Sequence, residues 1–360
     1  MKSKFSRRDF LKFSGLTLSG LAFSPFLPGL TDFSDNFVVR IATSEMAVRK
    51  EPTDESRIEL TWYRDDLVHV YEEFRAEEPA HNPIWYRVWG GYLHRGRLHR
   101  VKTIYQEPVQ IPEGTRRLTE VTVPFTTPYR YSKARGWEAM TPPIYYSSAH
   151  WVDSLEEGPP MADYSGPWYR IFDELDSNVP YFVPAIHLKV LDNDIFEPIT
   201  PEIPYEAKMI EVNLTTQTLY AYEHGRTVFQ TNISSGIRGG GQSGDGLSTT
   251  TPHGTFKIVD KVPSKHMGNS YFSIGQGGNL LADEDGYVLP GVPWSCFFTP
   301  VGHAFHGTYW HENFGTEMSH GCINMRSNEA NWIFRWAQPP HTVDAISNHT
   351  RIGTQIEIHY

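Results

Sequence analysis

The chain has 360 residues, about twice the usual length of one domain, so it can bury more than one hydrophobic core. Hydrophobic residues make up 39% and charged residues 21%, which excludes a disordered or fibrous protein, and two cysteines exclude a disulfide scaffold. The net charge of -10 disfavours nucleic acid as a partner, because binding to phosphates depends on clustered lysine and arginine.

The first predicted element is a targeting segment. Residues 6–12 read Ser-Arg-Arg-Asp-Phe-Leu-Lys, and a mildly apolar run over 13–27 follows, interrupted by serine and glycine. This run is too short and too polar for a membrane span of about 20 apolar residues. The segment resembles a twin-arginine (Tat) export signal.

That resemblance implies export of the chain by the Tat translocase. The expected location is the periplasm, the cell wall or the surface facing the outer membrane. Residues 1–31 are then a signal peptide or, if they are not cleaved, an N-terminal membrane anchor.

Two similar β modules are predicted next. Short alternating strands separated by turn residues begin at residue 37, and Trp-Tyr-Arg occurs at 85–87 and again at 168–170. We interpret residues 37–113 and 118–192 as a duplicated small β-barrel that resembles the bacterial Src-homology-3-like domain. Such modules often bind cell-wall peptides, which implies contact with the cell wall. Alternatively, the repeated aromatic residues only form the barrel core, with a solvated arginine.

A linker and a third domain complete the predicted organisation. Prolines among acidic residues over 193–206 favour a semi-rigid linker. Residues 207–360 read mostly as strands, including a hairpin over 209–222. One short helix is predicted over 328–337, with Ser327 as its N-cap.

The candidate catalytic residues lie in this third domain. His306-Gly307-Thr308 precedes the sequence Ser-His-Gly-Cys-Ile-Asn-Met-Arg at 319–326. A cysteine is a useful nucleophile only as its thiolate, so Cys322 needs a basic neighbour, which His306 can supply from an adjacent strand. Strand alternation places His306 on one face and His303 on the other, so only His306 is placed for Cys322. Gly321 would let the backbone approach a substrate and aim N–H groups at a developing oxyanion.

These motifs resemble the catalytic domain of L,D-transpeptidases of the YkuD type. The family signature is a histidine, a spacer, and Ser/Thr-His-Gly-Cys followed by an apolar residue and Asn or Arg. Further landmarks agree at 234–236, at 251–256 and at 353–354. The resemblance covers residues 207–360 and implies a mixed β-sandwich with one short helix, within a mainly β protein.

The resemblance also implies a role for each residue. Cys322 is the nucleophile that attacks the third stem residue of a peptidoglycan tetrapeptide and expels the terminal D-alanine. His306 accepts the thiol proton, and the carbonyl of Gly307 orients its ring. Backbone N–H groups near Gly321 form the oxyanion hole. Three further side chains shape the loop and contact the stem peptide, namely Ser319, His320 and Asn324.

One departure from the family pattern concerns the basic residue of the loop. Many members carry arginine where this chain has Asn324, and the basic residue here is Arg326. Contact with the stem carboxylate is therefore less firmly implied than the roles of the nucleophile and base. No metal and no organic cofactor are implied.

Several outcomes and rival interpretations stay open. The thioester can be resolved by an amine of a neighbouring stem, which gives a 3–3 crosslink, by water, which gives a carboxypeptidase, or by a wall protein that becomes anchored. A non-catalytic wall-binding protein is an alternative of another class. A disulfide between Cys296 and Cys322 would silence the nucleophile. A zinc site is a further alternative, with the candidate ligands His303, His306, His311, His320 and Cys322.

Overall fold

The computed structural model describes residues 37–77, 82–161, 164–172, 180–242, 248–268, 273–274, 288–343, 345–350 and 352–360. The predicted export signal lies outside these ranges. Within them the chain is mainly β, as predicted, with 27 strands and one α-helix. No helix in these ranges is long and apolar enough to cross a membrane.

The first module is a single sheet of seven strands. They are β1 (Val38–Ile41), β2 (Glu45–Arg49), β3 (Ile58–Tyr63), β4 (Leu67–Arg75), β5 (Ile84–Val88), β6 (Gly91–His94) and β7 (Leu98–Val101). Their order in the sheet is β3-β2-β6-β5-β4-β1-β7. Alternation along β4 buries Val68 and Val70 against Val39 and Ile41 of β1, which forms the core of the module.

The second module contains nine strands. They are β8 (Arg117–Val121), β9 (Phe125–Thr126), β10 (Tyr129–Ser132), β11 (Gly136–Thr141), β12 (Ile144–Tyr145), β13 (Ala149–Glu156), β14 (Trp168–Phe172), β15 (Tyr181–Pro184) and β16 (Leu188–Val190). Seven of them lie in the order β16-β8-β13-β14-β15-β10-β11, while β9 and β12 pair separately.

The two modules share one strand order. Read from its β7 edge, the first sheet is β7-β1-β4-β5-β6-β2-β3, and each strand has an equivalent at the same place in the second sheet. The repeated Trp-Tyr pairs, residues 85–86 and 168–169, are buried in the central strands β5 and β14. These four aromatic side chains are thus core rather than a ligand platform. The described strands do not close into a barrel in either sheet, so the barrel stays a prediction.

The segment predicted as a linker is packed against its neighbours. Two 3-10 turns lie in or beside residues 193–206, namely Asn193–Phe196 and Tyr205–Ala207. The buried ring of Phe196 lies 6.5 Å from that of Trp151 and 5.8 Å from that of Trp294. Ile195 and Ile199 of the same segment also pack against the core that contains these rings, so its polar composition hides several apolar contacts.

The third domain is a mixed sandwich. Its elements are β17 (Lys208–Asn213), β18 (Thr218–Glu223), β19 (Arg226–Asn232), β20 (Gly254–Lys257), β21 (Asp260–Gly268), β22 (Ser273–Ile274), β23 (Val288–Phe297), β24 (Ala304–Gly307), β25 (Ile323–Met325), α1 (Ser327–Trp336), β26 (Asn348–His349) and β27 (Gln355–His359). Two sheets, β19-β18-β17-β27-β20 and β25-β24-β23-β21-β26, share one hydrophobic core. The pairs β17–β27 and β24–β25 are parallel, and β22 pairs with β11 of the second module.

Helix α1 forms at the predicted place, but its predicted cap is wrong. The N-cap is Arg326, whose side chain makes no capping hydrogen bond, and Ser327 is the first helical residue. At the other end, the amine of Lys208 donates to the carbonyl of Trp336 at 2.9 Å, and that of Lys261 donates to Ala337 at 2.9 Å. Both amines satisfy carbonyls that the helix itself leaves unpaired.

One buried guanidinium joins all three parts of the described chain. Arg40 of β1 is 2% exposed, and its Nη1 lies 2.9 Å from Oδ1 of Asp65. Its Nη2 donates to the carbonyl of Tyr309, in the third domain, at 3.0 Å. The same group stacks 3.9 Å from the ring centroid of Tyr145, in the second module.

Candidate active site

The parallel pairing of β24 and β25 sets the geometry of the candidate site. Phe305 is paired with Ile323 and His306 with Asn324. Paired residues face the same side of a sheet, and the side alternates along each strand. Cys322 directly precedes β25, so this register puts its position on the face that carries His306.

His306 is held as a neutral base with a defined tautomer. Its Nδ1 lies 3.0 Å from the carbonyl oxygen of Gly307. A carbonyl can only accept, so Nδ1 carries the proton and Nε2 keeps its lone pair. Burial of the ring, which is 2% exposed, lowers the pKa of His306 to about 4. At neutral pH the ring is thus ready to take a proton at Nε2.

The side chain of Cys322 is half-buried and lies where the chain enters β25. Its Sγ donates to the carbonyl of Gly302 at 3.6 Å. The thiol therefore combines contact with the protein and access for a reactant, which a nucleophile needs.

The loop before Cys322 is fixed by Ser319 and Gly321. The hydroxyl of Ser319 donates to the carbonyl of Cys322 and accepts from the N–H of Gly321 at 3.2 Å. Gly321 has φ +112°, and a Cβ there would lie 2.9 Å from the ring of His303. Only glycine fits this backbone. Because its N–H already donates to Ser319, the predicted oxyanion role of that group would require breaking this hydrogen bond.

A second loop is bonded to the first through Thr251. The hydroxyl of Thr251 donates to the carbonyl of Gly321 at 2.9 Å and accepts from the N–H of Gly236 at 2.8 Å. A Cβ on Gly236 would lie 2.8 Å from the nitrogen of Gly321. Gly236 and Thr251 belong to the family landmarks at 234–236 and 251–256. No periodicity in the sequence indicates that these two segments contact each other.

Asn324 is a buried bridge, not a surface contact. It is 1% exposed, and its backbone exchanges two hydrogen bonds of 2.9 Å with Ser234. Its side-chain amide lies 2.9 Å from Nε2 of His311, whose Nδ1 accepts from the N–H of Asn313. Burial lowers the pKa of His311 to about 3, so the neutral ring holds its single proton on Nε2. The amide orientation that satisfies this N–H presents oxygen to it.

The predicted contact between Asn324 and a stem peptide thus has no exposed amide to make it. His311, which the sequence indicated only as a candidate zinc ligand, is fully buried and fixes this amide. Sequence reasoning missed the pair, because the two residues belong to different segments.

The other two predicted loop residues lie at the surface. His320 is exposed. Arg326 follows β25, at the end opposite to Cys322, and its Nη1 lies 3.3 Å from Oε1 of Glu329. Its guanidinium stacks 4.6 Å from the ring centroid of Phe314. Arg326 is therefore not part of the loop that holds the thiol.

The predicted zinc alternative lacks an assembled ligand set. In the described ranges, no group of three or more His, Cys, Asp and Glu side chains is arranged to hold a metal ion. Three ring nitrogens of the candidate ligands have other partners: Nδ1 of His303 lies 3.0 Å from Oγ1 of Thr299, and both nitrogens of His311 are hydrogen-bonded.

The disulfide alternative fails on the strand register. Cys296 is paired with Phe305, so it shares the face of Phe305, while Cys322 is at the level of Ala304 on the opposite face. Both thiols are free. Burial raises the pKa of Cys296 to about 12, so this second thiol is inert near neutral pH.

The third domain matches a known family. Residues 207–358 match the model of the L,D-transpeptidase catalytic domain, YkuD. A Bacillus subtilis (strain 168) protein named "Putative L,D-transpeptidase YciB" is 27% identical over 157 residues, which cover 41% of this chain and 69% of that protein. The C-terminal part of the chain is thus similar to the catalytic domain of L,D-transpeptidases.

Solved structures are similar over different shares of the chain. The Ldtfm–avibactam carbamoyl enzyme is 21% identical, covers 43% of this chain, and has a TM-score of 0.31. The chain spans about half of that protein, at 49%. An L,D-transpeptidase from Mycobacterium smegmatis is 16% identical, with 81% of this chain and 99% of that chain covered and a TM-score of 0.31.

We predict a pH dependence of stability from His306. The ring takes up a proton near pH 6.5 in the unfolded chain but only near 4 in the folded one. Between these values the unfolded state binds more protons, so the free energy of unfolding falls as the pH drops, by up to about 3 kcal/mol. Denaturant unfolding at several pH values measures this slope, which His306→Asn should reduce.

The matched control is His69→Gln, at an exposed position of β4. It should leave the slope between pH 6.5 and 4 at its native value. Equal slopes for the native chain and His306→Asn would contradict a buried neutral base at this position.

Proposed function

We propose that the protein is an exported cysteine acyltransferase that acts on peptidoglycan stem peptides and forms 3–3 crosslinks. The observation that carries the proposal is the neutral, tautomerically fixed His306 on the face of the sheet that Cys322 shares. This arrangement suits acyl transfer through a thioester and uses only groups of the chain.

The first half-reaction follows from the tautomer. Sγ of Cys322 attacks the carbonyl carbon of the third stem residue, and its proton passes to Nε2 of His306. The imidazolium is then stabilised by the hydrogen bond from Nδ1 to the Gly307 carbonyl. Collapse of the tetrahedral intermediate breaks the peptide bond, and the imidazolium returns the proton to the departing amine of D-alanine.

The second half-reaction reverses these roles. His306, neutral again, takes a proton from the attacking amine of a neighbouring stem while that nitrogen bonds to the thioester carbonyl. The thiolate leaves and is reprotonated. Hydrolysis by water follows the same course and gives a shortened stem, so crosslinking and carboxypeptidase activity differ only in the acceptor.

The test is incubation of the full chain with tetrapeptide-containing peptidoglycan, followed by mass spectrometry of the digested products. New dimers linked between two third residues are expected, with release of D-alanine. Cys322→Ala should abolish both products, because no other thiol lies on that face. Cys296→Ala is the matched control and should retain both, since Cys296 is buried and unreactive.

Each other product pattern points to another activity. Shortened stems without dimers would indicate a carboxypeptidase, and a covalent protein–stem adduct would indicate wall-protein anchoring. A chain that binds peptidoglycan and gives no product would be a non-catalytic wall-binding protein. Products that persist in Cys322→Ala would overturn the assignment of the nucleophile.

Export through the Tat translocase is part of the proposal and is supported by the paired-arginine motif at residues 6–12. Replacing both arginines, as Arg7→Lys with Arg8→Lys, keeps the charge but removes the motif. Cell fractionation should then find the chain retained in the cytoplasm. Unchanged export of the double variant would show that another route is used.

Contact of the N-terminal modules with the cell wall is also proposed, and exposed aromatic residues of the first module support it. The side chain of Trp89, between β5 and β6, is 67% exposed. In a Cys322→Ala background, Trp89→Ala should weaken sedimentation of the chain with purified sacculi. Ile352→Ala, at an exposed apolar position of the third domain, is the control. Equal sedimentation of the two variants would remove Trp89 from the contact.

A further inference from the structure

A cavity of about 360 Å³ lies where the three parts of the described chain meet, away from the thiol. His99 of β7 lines it from the first module, and Glu120 of β8 lines it from the second. The third domain contributes Thr308 and Glu312. Neither Cys322 nor His306 is among its lining residues. A cavity of this size holds a small organic molecule.

Two half-buried carboxyls dominate its chemistry. Oε1 of Glu120 accepts from the hydroxyl of Ser147 at 3.0 Å, and Oε1 of Glu312 accepts from the N–H of Arg100 at 3.2 Å. Among the described residues, neither carboxyl has a basic side chain within 4.0 Å. Burial raises the pKa of each, although Arg100 and other more distant arginines lower that of Glu312. Both carboxyls therefore lack a close positive charge.

Both carboxyls affect the pKa of one hydroxyl, that of Tyr146. The pKa of Tyr146, which lines the cavity, is raised by burial and then by the charges of Glu120 and Glu312. Arg100 lowers the same pKa, and Tyr146, Glu120 and Glu312 all line the cavity.

Two polar atoms of the lining also have no partner. Thr308 is 3% exposed and His99 is 4% exposed, yet Oγ1 of Thr308 and Nδ1 of His99 have no hydrogen-bond partner in the described ranges. Unpaired buried polar groups are costly, and they are usually satisfied by a ligand or water. Their presence at this cavity indicates that it is built to hold a polar guest.

The positive groups of the lining are already engaged. The guanidinium of Arg100 stacks 4.0 Å from the ring centroid of Phe37. That of Arg326 stacks on Phe314 and pairs with Glu329. The groups left to bind a guest are thus two carboxyls, the hydroxyl of Thr308 and Nδ1 of His99, and the carboxyls favour a hydrogen-bonding cation over an anion.

Two residues that line the cavity also have an unusual backbone conformation. Ser147 and Trp294 both line it and both have positive φ, of 63° and 59°. A bulky residue such as tryptophan adopts this conformation only where the surrounding structure enforces it, and such positions concentrate at binding sites.

We propose that this cavity binds a small aliphatic molecule with primary ammonium groups, which Glu120, Glu312 and Thr308 hold. An ammonium supplies three donors, which matches two carboxyls and one hydroxyl. The lining of this cavity does not include Cys322 or His306, so ligand binding here can be tested independently of the proposed acyl transfer.

The probe for the test is 1,5-diaminopentane, and pentane-1,5-diol is its uncharged counterpart of similar size. Calorimetry with the full chain should show binding of the diamine and none of the diol. The diamine should also raise the midpoint of thermal unfolding. Glu312→Gln and Glu120→Gln should each weaken binding about tenfold or more, because each removes a charge-assisted hydrogen bond.

The control and a milder variant complete the design. Glu113→Gln, at an exposed position, should bind the diamine like the native chain. Thr308→Val loses only a hydroxyl and should weaken binding several-fold even if a glutamate variant does not fold. Absence of diamine binding, equal binding of diamine and diol, or native affinity in Thr308→Val together with the folded glutamate variants would overturn the proposal.

Discussion

The parallel pairing of β24 with β25 is the constraint on which the candidate site depends. It brings together two segments separated by the loop over residues 308–322 and puts a histidine and a cysteine on one face. The backbone bonds between Asn324 and Ser234 hold β25 from its other side, so the register cannot slip without breaking them. A slip of one residue would turn the thiol to the face of the buried core.

Desolvation gives this pair its chemical character. Burial of the ring lowers the pKa of His306 to about 4, so the imidazole is neutral at rest. In the proposed reaction the positive charge appears only as the thiol reacts, and the Gly307 carbonyl, which lies 3.0 Å from Nδ1, would stabilise it. Gly307 has to be small for this, since a Cβ there would lie 2.7 Å from a carbon of Pro293.

Features that depend on neighbouring residues in the sequence could be predicted from it. Alternation indicated the strands, an apolar face indicated α1, and the Trp-Tyr-Arg repeat indicated a duplicated module. The structure adds that the two sheets share one strand order. The motif around Cys322 indicated a candidate nucleophile and a candidate base, Cys322 and His306, and their roles stay a prediction. Contacts between distant segments have no such signal: Phe196 in the predicted linker, His311 beneath Asn324 and Thr251 behind Gly321 were found only in the structure. Each of them works through tertiary packing, which overrides composition.

The guanidinium of Arg40 bears on how the molecule folds. It satisfies a carbonyl of the third domain and stacks on a ring of the second module, so removing the first module would leave both without their partner. Residues Asn36–Tyr360 also cluster as one compact unit. The predicted domains are thus not independent units, and removing one of them would break contacts within the others. The third domain and the two N-terminal modules should therefore unfold in a single cooperative transition and not as independent domains.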